Sequence, residues 1–123
     1  MGNTLFADVK LWDKTANCFS NTLLTFDTGA SVTTISKDIL YELGYDINSG
    51  NVHKISTASG IEYVREVNID KIRIGDFELE NVTVYAHAFP AEGFSTGVVG
   101  LNVLSQFDIN LKFSKKLIEL EKI

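Results

Sequence analysis

The sequence has few of the residues that cross-link chains, bind metals or contact nucleic acids. A single cysteine, Cys18, excludes an intramolecular disulfide, and with only two histidines, His53 and His87, it forms no recognisable metal-ligand spacing. The 16 acidic residues outnumber the 11 basic ones and give a net charge of −5. The densest basic cluster, Lys115-Lys116, is two residues long, so we expect no nucleic-acid partner.

The chain also lacks long apolar runs. No run approaches the ~20 apolar residues of a membrane span, and the N-terminus has no basic segment followed by an apolar core. We therefore expect no membrane segment, no signal peptide and a soluble, cytoplasmic protein, either alone or as a domain of a longer protein. With 123 residues, 45% of them hydrophobic, the chain is predicted to form a single domain over residues 1–123. Cys18 is interpreted as a small strand residue, and His53 and His87 as surface or loop residues.

Alternation of apolar and polar residues dominates the pattern and predicts strands. Leu5, Ala7, Val9 and Leu11 alternate with polar or aromatic neighbours, which is the period of a half-buried strand. A polar loop over residues 13–17 separates this strand from a returning strand, Cys18 to Phe26. The sequence therefore begins with a β-hairpin.

The rest of the chain continues in short strands with one or two short helices, so the predicted class is all-β. Ser36 is placed to cap a short helix and Gly44 to end it. A second short helix is predicted over residues 102–107. The predicted strands after the first hairpin cover residues 32–35, 52–57, 61–69, 70–74, 79–86, 108–113 and 117–120.

The turn Asp27-Thr28-Gly29 is the strongest candidate for function. Leu23, Leu24 and Phe26 precede it, a β-branched run over residues 32–35 follows it, and these apolar flanks predict that it is buried. A buried carboxylate costs free energy unless it is hydrogen-bonded or used. The alternative is an ordinary turn, because Asp and Gly favour turns for local reasons. The triplet alone occurs by chance in roughly one chain in forty of this length.

Two motifs together point further than the triplet does. The extension Asp27-Thr28-Gly29-Ala30-Ser31 is followed, about seventy residues later, by Val98-Val99-Gly100-Leu101-Asn102-Val103-Leu104. This combination resembles the retropepsin-like aspartic protease family, and the resemblance extends from the first hairpin to Phe113. It implies a closed β-barrel lobe, a homodimer, and hydrolysis of a peptide or protein substrate by paired aspartates. It implies no metal or organic cofactor.

The resemblance assigns roles residue by residue. Asp27 matches the catalytic aspartate, Thr28 the threonine whose hydroxyl reaches across the dimer axis, and Gly29 the glycine that lets a peptide backbone approach. The hairpin tip near residues 57–60 matches the flap that closes over substrate, and Gly100 matches the glycine packed under the catalytic turn. The residues expected to contact substrate are Ala30, Ser31, Thr57, Ala58, Ser59, Gly60, Thr96 and Val98.

Two departures from the retroviral pattern bear on the comparison. Retroviral members carry an acidic residue and an arginine that pair with each other where this chain has Ser31 and Leu101. Because both charges are absent together, no buried charge is left unpaired, and the pattern is closer to the cellular and bacterial branch. The chain also runs ten residues past Phe113, to Ile123. The alternatives are a dimerising or peptide-binding module of the same fold that does not cut, and an unrelated small β-sandwich.

Overall fold

The computed structural model describes residues 6–57, 60–88, 96–112, 114 and 117–123. Within these residues the chain forms nine strands and two short helices. The elements are β1 (Phe6–Asp13), β2 (Cys18–Phe26), β3 (Thr34–Ser36), α1 (Lys37–Glu42), β4 (Val52–Thr57), β5 (Gly60–Ile74), β6 (Phe77–His87), β7 (Gly97–Val99), α2 (Leu101–Leu104), β8 (Phe107–Lys112) and β9 (Leu117–Lys122). In this part of the chain no helix is long and apolar enough to cross a membrane.

Six strands close a barrel. Their order is β1-β2-β7-β3-β6-β5, and β5 returns to pair with β1 through Val9↔Ile74 and Leu11↔Ile72. A closed ring satisfies both edges of every strand that takes part, and it buries alternate side chains inside. The predicted all-β class and the closed barrel are confirmed, and the β-sandwich alternative is wrong.

The barrel interior contains the apolar residues that the alternation predicts. Val9, Leu11, Leu24, Ile72 and Val84 are each at most 1% exposed. Cys18 is an exposed residue at the start of β2, in agreement with its interpretation as a strand residue. The bounds of β2 and β4 are those that the pattern predicts.

Strand β5 is longer than the sequence suggests. The prediction divided it into residues 61–69 and 70–74, but β5 runs without a break from Gly60 to Ile74. At the predicted break, the N–H of Asp70 donates to the hydroxyl of Tyr45 at 3.4 Å, and that hydroxyl donates to the carbonyl of Trp12 at 2.6 Å. The β5–β6 ladder passes over Asp70, and on β6 it passes over Asn81, which has a φ of 52°. Burial raises the pKa of Tyr45 to about 12.

Two smaller boundaries and one helix cap also differ from the predictions. Helix α2 ends at Leu104, whereas the pattern extended it to Phe107, because the Phe107 ring turns inward to pack against Phe77 at 5.2 Å between ring centroids. Strand β3 begins at Thr34 rather than at residue 32. Ser36 precedes α1 as predicted, but its hydroxyl makes no capping hydrogen bond. Gly44 has a φ of +92° and ends the helix as expected.

The β4–β5 hairpin extends beyond the barrel wall. β5 pairs with β6 from Arg65 onward, whereas Gly60 to Val64 pair only with β4 within the described residues. Ile61 and Tyr63, on this outer part, are 59% and 70% exposed. The predicted tip residues Ala58 and Ser59 lie outside the described residues.

The last two strands form a separate two-stranded sheet. β8 and β9 pair from Phe107↔Lys122 to Lys112↔Leu117. Ile109 and Leu120 pack against the barrel core, so this hairpin covers one side of the barrel. β9 extends two residues beyond the predicted closing strand.

Candidate active site

The Asp27 turn begins where β2 ends. The N–H of Asp27 donates to the carbonyl of Val99 at 3.2 Å, which fixes the turn against β7. Within the turn, the N–H of Gly29 donates to Asp27 Oδ1 at 2.8 Å, and the N–H of Ala30 donates to the Asp27 carbonyl at 3.3 Å. One carboxylate oxygen is therefore held by the backbone, and the direction of the carboxylate is fixed before any ligand binds.

The chain that leaves Asp27 is tied to the turn between β7 and α2. The N–H groups of Leu101 and Asn102 donate to the carbonyls of Ala30 and Ser31 at 2.8 and 3.1 Å. Thr33, which is 1% exposed, donates to Asn102 Oδ1 from its backbone N–H at 2.8 Å and from its hydroxyl at 2.9 Å. The paired turns that the resemblance implied are therefore joined by hydrogen bonds.

Gly100 allows the Asp27 turn and the turn between β7 and α2 to lie close together. A Cβ at this position would lie 2.7 to 2.9 Å from backbone atoms of Val32, Ala30 and Thr33, which is too close for a side chain. Its N–H donates to the Thr33 hydroxyl at 3.0 Å. Gly100 is thus required for contact between the two turns, as the sequence comparison predicted.

The exposure of the turn differs from the prediction. The apolar flanks predicted a buried turn, but Asp27 is half-buried, and Thr28, Gly29 and Ser31 are exposed in the single chain. Of the flanking leucines, Leu24 is fully buried but Leu23 is 51% exposed, so the apolar run before the turn does not by itself bury it. The turn therefore lies on a surface that can accept another molecule.

The other predicted substrate contacts are distributed over neighbouring strands. Val98 is half-buried in β7, where it pairs with Thr25 on one side and Thr34 on the other. Thr96 immediately precedes β7, and its hydroxyl donates to the carbonyl of Leu23. Thr57 and Gly60 face each other as the last pair of the β4–β5 hairpin.

The histidines were predicted to be surface or loop residues; both lie in strands, and the side chain of His53 is 37% exposed. Both are half-buried, and each contacts a glutamate of β5: His53 Nε2 lies 2.7 Å from Glu66 Oε1, and His87 contacts Glu62. Such cross-strand pairs depend on register, which a single sequence does not specify. Within the described residues, no group of three or more His, Cys, Asp or Glu side chains is placed to share a metal ion.

Sequence reasoning missed three residues that support the site. Thr33 and Asn102 join the two turns, and the carbonyl of Val99 accepts the N–H of Asp27. Asn102 also donates from Nδ2 to the carbonyl of Thr83 at 2.7 Å. The available signal was a side-chain amide directly after Gly100-Leu101, since an amide can donate and accept at once.

Comparisons with known proteins agree with this geometry. The sequence profile of a family described as aspartyl protease matches residues 20–103. The crystal structure of a retropepsin-like aspartic protease from Rickettsia conorii is similar, with a TM-score of 0.68 and 19% identity over 94% of this chain and 88% of that chain. At that identity the similarity shows the fold. No curated protein sequence matches the chain.

The profile covers both turns that form the site, from within β2 to within α2. The matched residues, 20–103 of 123, are more than half of the chain. The chain therefore belongs to the aspartyl protease family, and its fold is that of the retropepsin-like members.

Proposed function

We propose that the chain is a homodimeric aspartic endopeptidase whose active site forms where the Asp27 turns of two copies meet. The observation that carries the proposal is the Asp27 turn itself. Its carboxylate is fixed by the Gly29 N–H at 2.8 Å and by the turn at Gly100, yet the turn is open to solvent. The aspartyl protease family match covers this turn and the turn at Gly100, so Asp27 lies in the part of the chain that the family shares.

One chain supplies only half of the required chemistry. Hydrolysis by this route needs two carboxylates that share one proton. The matching turn at Val99-Gly100-Leu101 carries no acidic residue. A two-fold axis beside Asp27 supplies the second carboxylate, because a symmetric dimer places identical residues opposite each other.

In the dimer, the two carboxylates act as a unit. One accepts a proton from a water molecule, which attacks the peptide carbonyl carbon, while the other donates its proton to the carbonyl oxygen. The carboxyl group that took the proton from water then gives it to the leaving nitrogen, and the C–N bond breaks. Neither Asp27 is acid or base before substrate binds, since a coupled pair titrates together. We assign the exposed Thr28 a hydrogen bond to the partner chain at this axis.

The substrate is a peptide held in an extended conformation. Ala30 and Ser31, next to the Asp27 turn, lie on one side of the peptide, and the β4–β5 hairpin acts as a flap on the other. Extended peptides bind well between such elements, because main-chain hydrogen bonds give affinity and alternate side chains give specificity. Ile61, which is 59% exposed, supplies apolar contact area on the hairpin.

Incubation with a peptide library, with and without a pepstatin-type inhibitor, tests the proposal. We expect cleavage that the inhibitor blocks and that Asp27→Asn abolishes, because the amide can neither share the proton nor accept it from water. Asp76→Asn, at an exposed turn, is the matched control and should cut at the wild-type rate. Cleavage that survives Asp27→Asn would refute the proposal. Binding of peptides without cleavage would favour the module that does not cut.

A further inference from the structure

A small cavity lies beside the part of β5 that begins to pair with β6, next to the first residue of α1. Its volume is about 190 Å³. That is the volume of about six water molecules in the liquid, and it is smaller than the sites that hold drug-sized ligands. None of the described residues that line it was assigned above to catalysis or to substrate binding. The cavity therefore suits one small chemical group.

Two cationic side chains line this cavity. Lys37 is the first residue of α1, and Arg65 lies on β5 opposite Ala86 of β6. Neither cation forms an ion pair with a described residue, and the described residues that line the cavity include no acidic side chain. Two like charges beside one space repel each other, and an anion placed between them removes that repulsion.

Asp46 is the carboxylate that Arg65 influences, but its oxygens are bonded within its own loop. Oδ2 accepts the hydroxyl of Ser49 at 2.6 Å, and Oδ1 accepts the N–H of Asn48 at 2.9 Å. The hydrogen bond from Ser49 is the largest cause that lowers the pKa of Asp46, followed by the bond from Asn48, and the charge of Arg65 contributes less. Asp46 therefore offsets only part of the charge of the two cations.

The same loop fixes the direction of the Arg65 side chain. Arg65 Nη1 donates to the carbonyl of Gly50 at 3.0 Å. Gly50 itself packs against β5, since a Cβ there would lie 1.8 Å from the carbonyl oxygen of Glu66, and the N–H of Glu66 donates to the carbonyl of Asn51 at 2.9 Å. A guanidinium carries five donors in a fixed fork, so one donor holds the group in place and the rest remain for a ligand.

The buried residues that line the cavity are apolar. Val64 and Ala86 are 2% and 7% exposed, and Ile47 packs against the barrel core. Apolar surface is stabilised by contact with an apolar group rather than with water. An apolar wall beside two cations fits a carboxylate carried on a short aliphatic group, whereas a bare phosphate ion would use the cations alone.

We propose that this cavity binds a small aliphatic carboxylic acid. Lys37 and Arg65 contact the carboxylate, and the apolar wall surrounds the aliphatic group. The planar guanidinium of Arg65 matches the geometry of a carboxylate, and the ammonium of Lys37 adds a second positive charge. A bound acid connects the start of α1 to β5 and β6. The site does not depend on the proposed protease function.

Titration of the isotope-labelled wild-type protein with N-acetylleucine, followed by two-dimensional NMR, tests the site. We expect saturable shifts centred on the amides of Val64, Arg65 and Ala86, with a dissociation constant in about the millimolar range, because a ligand of this size has few atoms to contribute. N-acetylleucinamide has the same side chain without the charge, and inorganic phosphate has the charge without the side chain. Each should bind more weakly than N-acetylleucine.

Three variants test the roles of the cations. Lys37→Gln and Arg65→Gln should each weaken binding about three- to fivefold, which is the range of a partly exposed charge pair. Lys10→Gln is the matched control, because the exposed Lys10 pairs with Arg73, about 26 Å along β5 from Arg65. That distance is longer than the screening length of salt, so Lys10→Gln should bind like the wild type.

Acetyl-glycyl-glycyl-leucine distinguishes the source of the carboxylate. Tighter binding than that of N-acetylleucine would identify the ligand as the end of a peptide, and equal or weaker binding would identify it as a free small acid.

Four results would overturn the site: shifts that do not saturate, shifts centred on residues 27–31, equal binding of N-acetylleucinamide, or an equal loss in Lys10→Gln and the two cavity variants. Phosphate bound as tightly as N-acetylleucine would overturn the aliphatic ligand. Binding of N-acetylleucine by a chain that cuts no peptide would support the site and refute only the protease.

Discussion

Replacing the half-buried Asn102 with alanine should destabilise the fold more than replacing any other asparagine that is exposed or half-buried. The Asn102 side chain makes three hydrogen bonds, two accepted from Thr33 and one donated to the carbonyl of Thr83. In the variant, the N–H of Thr33 stays buried and loses its acceptor. The Thr33 hydroxyl still accepts the N–H of Gly100, and the Thr83 carbonyl can bond to water.

The size of the effect follows from these partners. An unsatisfied buried donor costs about 1–3 kcal/mol, and the other two bonds add about 1 kcal/mol, so the free energy of unfolding should fall by about 2–4 kcal/mol. With a urea m-value of about 2 kcal/mol per molar, the unfolding midpoint should fall by about 1–2 M.

The assay is urea unfolding followed by circular dichroism, with all variants at one protein concentration because dimer formation stabilises by mass action. Asn110→Ala, at an exposed position of β8, is the matched control and should stay within about 0.5 kcal/mol of the wild type. If Asn102→Ala unfolds at the same midpoint as Asn110→Ala, the hydrogen bonds between the two turns do not stabilise the protein, and the reasoning is refuted.

Three further predictions concern the dimer, the core and the turn. Specific activity should fall on dilution, because mass action removes the dimer, and Thr28→Ala should steepen that fall; an active monomer in sedimentation would contradict both. Since burial raises the pKa of Tyr45 to about 12, its phenol stabilises the fold below pH 10, and this contribution is lost as the pH rises towards 12. In an absorbance titration of the folded protein, Tyr45→Phe should remove the last phenolate to form, and an unchanged final step would exclude Tyr45 as its source. Gly100→Ala should cost about 1–3 kcal/mol, because its Cβ would meet backbone atoms at 2.7 to 2.9 Å, and a wild-type melting temperature would contradict the close approach.

Local signals predicted much of the fold. The bounds of β2 follow from the polar loop before Cys18 and the Asp27 turn after Phe26, and Gly44 ends α1 because its φ of +92° favours glycine. The continuity of β5 through Asp70 was not predictable, because its support, the hydroxyl of Tyr45, comes from a residue 25 positions away.

The candidate site was only partly predicted, because some of its residues act through contacts between distant parts of the chain. Asp27, Gly100 and Asn102 stand in recognisable motifs, but the hydrogen bonds of Asn102 to Thr33 join distant turns and are not visible in the sequence. The exposure of the Asp27 turn was also missed, because apolar residues that flank a turn do not show whether the turn itself is covered. Cross-strand pairs such as Glu62 with His87 depend on a register that one sequence does not specify.

The distance along the chain between the two turns has a consequence for synthesis. Thr33 and Asn102 are 69 positions apart, and closing a loop of that length costs about 4 kcal/mol of chain entropy before any bond compensates. Strands β1 and β2 leave the ribosome early, but the carbonyl of Val99 and the amide of Asn102 follow much later. A nascent chain therefore carries the Asp27 turn well before it carries the residues that tie this turn to β7 and α2.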